Sequence, residues 1–155
     1  MRVNFLITGS NQRLYYNQYN RNNYLTNNKI NSTNNNYNNI SFGYSHELKT
    51  LYKKGKLPIK FDFYGSRLTK KNVTLEHLLP HSYGGRTTLD NLVLATRENN
   101  QARSNKPLEE FMDWYNVNRY LKQFEKLQIG NISGKDYIKM ILNTISKIKS
   151  IGKRE

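Results

Sequence analysis

Residues 73–107 read VTLEHLLPHSYGGRTTLDNLVLATRENNQARSNKP, and this stretch decides the fold. It opens with a short apolar–polar alternation that ends in a carboxylate and an imidazole, Glu76 and His77. A loop pinned by Gly84 and Gly85 follows. Asn91 then opens a second apolar run through Leu92, Val93 and Leu94, and the polar segment after it has helical character and carries Asn100 and Arg103. The spacing predicts strand, loop, strand and helix. Two strands and a helix of this size bring Glu76, His77 and Asn100 toward one point. Glu and Asn offer the oxygen donors that Mg²⁺ prefers, and a neighbouring His stays free to take a proton from water.

In order and spacing, Glu76-His77, Pro80, Gly84-Gly85, Asn91 and Asn100-Gln101-Ala102-Arg103 resemble the HNH endonuclease motif. Its pattern is Asp/Glu-His, Pro, Gly-Gly, Asn and Asn-x-x-Lys/Arg, and its fold is the ββα-metal nuclease fold. By pattern the stretch resembles zinc-free members such as the HNH domain of RNA-guided CRISPR nucleases. The resemblance implies His77 as general base, Glu76 and Asn100 as metal ligands, and Asn91 as the brace that orients His77. It also implies Arg103 as a phosphate contact in place of the usual Lys. The implied cofactor is Mg²⁺ or Mn²⁺. The sequence departs from the family in three ways. Glu replaces the commoner Asp at position 76, Asn100 replaces a final metal-binding His, and the CxxC pairs that hold zinc in many relatives are missing. The chain has no Cys, and Thr96 and Asn99 stand where the second pair would be, so no structural zinc is expected.

Around this stretch, 155 residues with 25 Lys+Arg against 11 Asp+Glu give a net charge of +14, which asks for a polyanionic partner. With the motif present that partner is nucleic acid, DNA favoured and RNA the other candidate, either alone or within a larger nucleoprotein assembly. Only 36% of residues are hydrophobic, so the core is small. No apolar run approaches the ~20 residues that span a bilayer, so no membrane partner is expected.

The expected fold class is α+β, in three parts. Residues 1–44 form a basic, Asn- and Tyr-rich arm without a single Asp or Glu. That composition fits an unselected low-complexity tail, an organelle transit peptide, or an arm that orders on nucleic acid. Residues 45–106 form the HNH-like core. Within it the motif is preceded by a helix over 45–54, with Ser45 as N-cap and His46 on its surface, and by a strand over 58–64 in which Ile59, Phe61 and Phe63 face inward. Residues 107–155 form a C-terminal region of two helices. The first starts at Pro107 and has Phe111, Trp114, Tyr115, Tyr120, Leu121 and Phe124 on its apolar face. The second carries Tyr137, Ile138, Ile141, Leu142, Ile145 and Ile148 and leads to a Lys-rich tail. His81, Lys70 and Lys71 are peripheral candidates for nucleic-acid contact.

Two functions compete on this reading. One is a metal-dependent endonuclease that hydrolyses DNA phosphodiesters and nicks as a monomer. The other is an HNH-fold binding subunit without catalysis, for example in an organelle ribosome. Residue composition leaves the compartment open between an organelle and a bacterial or phage cytoplasm.

Overall fold

The computed structural model describes residues 47–152; the arm, Ser45, His46, Lys153 and Arg154 lie outside the described residues. Helix α1 (Glu47–Lys53) buries Leu48 and Tyr52, one turn apart, as the 3.6-residue period requires. Gly55 ends it at φ +76°, with Gly55 N donating to Tyr52 O (2.9 Å) and Lys56 N to Leu51 O (2.9 Å).

Strand β1 (Val73–His77) pairs antiparallel with β2 (Leu92–Thr96), Glu76 opposite Val93 and His77 opposite Leu92. Helix α2 (Arg97–Arg103) leaves directly from β2, so the expected ββα unit is present. Thr96 caps it: its backbone is extended and its Oγ1 accepts from Asn99 N at 3.2 Å.

All five residues of β2 are buried, which explains its unbroken apolar run. Among the described residues its outer edge meets no third strand, and side chains and a loop take its polar groups instead. Leu94 N donates to Tyr120 Oη (2.9 Å), and Tyr137 Oη donates to Leu92 O (2.8 Å). The two hydroxyls lie 3.0 Å apart, which makes Tyr120 the donor to Tyr137. Leu94 O accepts from Phe63 N (3.0 Å), and Thr96 N donates to Asp62 Oδ2 (2.8 Å).

The strand expected over 58–64 contracts to a single bridge between Phe61 and Arg67. Asp62 is the reason. It is fully buried rather than solvent-facing, and its Oδ1 accepts from Tyr64 N (3.1 Å) and Ser66 N (2.7 Å). These bonds curl the chain into a turn, while Oδ2 reaches Thr96 N and Asn99 Nδ2 (2.8 Å) at the start of α2.

The first C-terminal helix is also split. Helix α3 (Leu108–Phe111) is one turn long and follows Pro107, and α4 (Trp114–Lys122) restarts after Asp113, whose side chain accepts from Tyr115 N. The restart resets the helical phase. Val117, Tyr120 and Leu121 point inward, while Trp114 (40% exposed) and Tyr115 (70% exposed) face solvent instead of the core. A hairpin of β3 (Gln128–Ile129) and β4 (Ile132–Ser133) turns at Gly130 (φ +58°) and leads into α5 (Gly134–Gly152). Tyr137, Ile141, Ile145 and Ile148 form the buried stripe of α5, and Leu142 is exposed. One core joins α1, the ββα unit and these helices through Leu48, Phe63, Leu89, Leu94, Val117, Phe124 and Ile141.

Candidate active site

Glu76 and His77 stand at the end of β1, and Asn100 reaches the same strand from α2. The Asn100 side chain spends its donor on β1: Nδ2 donates to Thr74 Oγ1 (3.1 Å) and Leu75 O (3.0 Å). Both bonds fall on nitrogen, so the amide is oriented with Oδ1 as the end directed away from them. Glu76 is 3% exposed, and its Oε1 takes both of its side-chain bonds, one from the Arg103 guanidinium and one from Tyr64 Oη (3.3 Å). Burial raises the Glu76 pKa, and the Arg103 charge and the bonds from Arg103 and Tyr64 oppose that rise.

Arg103, expected at a phosphate, is fully buried. Besides Glu76, its guanidinium donates to His77 O (2.5 Å), Leu78 O (2.7 Å) and Lys106 O (3.2 Å). Ser104, at a positive φ of +49°, turns the chain back over it. Arg103 and Glu76 form the one ion pair found among the described residues.

The His77 Nε2 lies 3.0 Å from Thr87 Oγ1, across the loop. When Nε2–H donates to that hydroxyl, Nδ1 is left to accept a proton. Burial, then His81 (ring centroids 6.4 Å apart), then Arg103 lower the His77 pKa, which keeps the ring neutral near pH 7.

Asn91 ties the loop together. Its Oδ1 accepts from Leu79 N (2.9 Å), its Nδ2 donates to Leu79 O (3.0 Å) and Arg86 O (2.9 Å), and its carbonyl accepts from Leu78 N (2.9 Å). The Gly-Gly pair makes room for this. Gly84 adopts φ +81°, and a Cβ on Gly85 would sit 1.8 Å from Leu79 O and 2.9 Å from Asn91 Nδ2.

Of the peripheral candidates, His81 is exposed on the same loop. Lys70 and Lys71 are exposed ahead of Val73, at the far end of β1 from His77. Sequence reasoning missed the residues that hold the site: Tyr64 on Glu76, Thr87 on His77, Thr74 on Asn100 and Asp62 on α2. The alternation over 58–64 pointed Tyr64 to solvent, and no spacing signal marks Thr87.

Among the described residues no three His, Cys, Asp or Glu side chains gather into a metal cluster, and a zinc-type donor set is absent there. One carboxylate and one amide oxygen do suit a hard divalent cation that keeps several waters and takes its remaining ligands from a phosphate. No curated protein and no solved structure matches the chain. Residues 63–107 do match the model of the HNH endonuclease family, a match that spans β1, the Gly-Gly loop, β2 and α2. Over that segment the chain carries a domain of the HNH endonuclease family, whose members cleave nucleic acid and generally use a divalent metal ion.

Proposed function

We propose that the protein is a metal-dependent DNA endonuclease that nicks one strand per active site. The observation that supports this reading is the anchoring of three groups, two at the end of β1 and one on the helix packed against it. Glu76 is held through Oε1, Asn100 through Nδ2 and His77 next to Thr87, and in each case the atom that chemistry needs is the one not spent on the scaffold. In this reading Glu76 and Asn100 hold Mg²⁺ or Mn²⁺, which when bound supplies charge neutralisation at the scissile phosphate. His77 takes the proton of the attacking water at Nδ1. Asn91 fixes the loop that carries Thr87, and thereby the imidazole. Arg103 acts through Glu76 and the strand-end carbonyls rather than on a phosphate.

One observation favours a second reading, an HNH-fold binding subunit without catalysis: the buried Arg103 already neutralises Glu76. Plasmid nicking with Mg²⁺ or Mn²⁺ at low salt, wild type beside His77→Ala, separates the two. The nuclease reading expects a loss of about 10²–10⁴-fold in the variant with binding retained. Tight binding with no nicking by either protein would establish the second reading instead.

A further inference from the structure

We infer that the exposed start of α4 is a platform for unpaired nucleotides of the substrate, an inference that rests on the proposed nuclease reading for what the bound strand is. Trp114 and Tyr115 are two of the most exposed large apolar side chains among the described residues, at 40% and 70%. Each has a cation over its ring: Lys149 Nζ is 4.5 Å from the Trp114 centroid, and the Arg119 guanidinium carbon is 5.6 Å from that of Tyr115. Arg119 also stacks on Phe61 at 4.0 Å.

No carboxylate pairs with Arg119 or Lys149 among the described residues, and Arg119 Nε is buried without a partner. Exposed rings next to uncompensated cations match what a single strand presents, flat bases joined by phosphates. A paired duplex hides its base faces and would meet only the charges.

The platform is linked to the candidate active site through Tyr64 and Gly65. Arg119 Nη2 donates to Gly65 O (2.9 Å), and the residue before Gly65, Tyr64, donates from its hydroxyl to Glu76. The Tyr64–Gly65 segment thus touches Arg119 at one end and Glu76 at the other, and the inferred path of the strand runs along it. Trp114 and Tyr115 are consecutive on a helix and point about 100° apart, so each offers its face to a different base.

Trp114 is the chain's single tryptophan, and its emission reports on the platform directly. The test titrates the full chain, in EDTA so that nothing is cut, with a short single-stranded oligonucleotide and with its duplex. The single strand is expected to quench Trp114, Tyr115→Ala to weaken single-strand binding about tenfold, and Tyr115→Phe to restore it. Duplex affinity should change little, and Lys149→Gln should flatten the salt dependence by about one charge. Emission unchanged at saturation, or Tyr115→Ala leaving single-strand affinity intact, would overturn the inference and leave the nicking assay untouched. Circular dichroism of Tyr115→Ala checks its fold, which the exposure of Tyr115 predicts to be unaltered.

Discussion

Replacing Arg103 by Met keeps most of the buried aliphatic volume and deletes the guanidinium. The structure sets the size of the effect. Glu76, 3% exposed, loses its counter-ion and keeps one bond, from Tyr64. The carbonyls of His77, Leu78 and Lys106 lose a donor. Breaking a buried pair from one side costs about 3–5 kcal/mol, and the stranded carbonyls push the cost toward the upper end of that range.

The penalty also has a pH signature. The Glu76 pKa is raised in the folded protein, so the folded state holds this proton to higher pH than the unfolded chain, whose value is near 4.5. Glu76 therefore favours folding at acid pH and opposes it as pH climbs through that window. Without Arg103 the rise is larger, because the main opposing charge is gone. Urea unfolding of wild type and Arg103→Met at about pH 5 and 8 should give a smaller deficit at the lower pH, and Glu76→Gln added to Arg103→Met should recover part of it. A deficit under about 1 kcal/mol, or one equal at both pH values, would refute the assignment of Arg103 as the internal counter-ion of Glu76.

Nicking should fail on acidification through a midpoint below 6.5, the ordinary histidine value from which burial and His81 lower His77. His81→Gln should move that midpoint upward in a pH–rate profile, and an unmoved limb would remove His81 from the electrostatics. Gly85→Ala should destabilise the loop by several kcal/mol and abolish nicking, because its Cβ meets the Leu79 carbonyl; denaturation and nicking assays on one sample check both. Tyr120→Phe deletes the hydroxyl between Leu94 N and Tyr137 Oη and should cost about 1–3 kcal/mol by orphaning a buried amide. A stability within experimental error of wild type would show that water replaces it.

The ββα unit was legible because each part carries a local signal. Alternation ended at Glu76-His77, two glycines marked the loop, and the apolar run Leu92–Ala95 led straight into a Thr96-capped helix. The failures have physical causes that sit far away in sequence. Residues 58–64 alternate like a strand, yet Asp62 finds four donors, two of them on Thr96 and Asn99, more than thirty residues on. Trp114 and Tyr115 look like core until Asp113 starts a new helix with a different phase. Arg103 matched a phosphate-binding position by spacing, and only the fold shows Glu76 beside it. Local pattern placed the ββα elements, and long-range polar pairing decided the rest.

The sealing of the outer edge of β2 by Tyr120 and Tyr137 bears on how portable this domain is. The family match stops at residue 107, but two backbone groups of β2 are satisfied by hydroxyls beyond that point. Cut at that boundary, the segment would present Leu92 O and Leu94 N as a bare, wholly apolar strand margin, open to pairing with another copy. In this chain the nuclease-type segment is therefore no detachable cassette. A graft, fusion or truncation that respects its folding unit has to carry α4 and α5 with it.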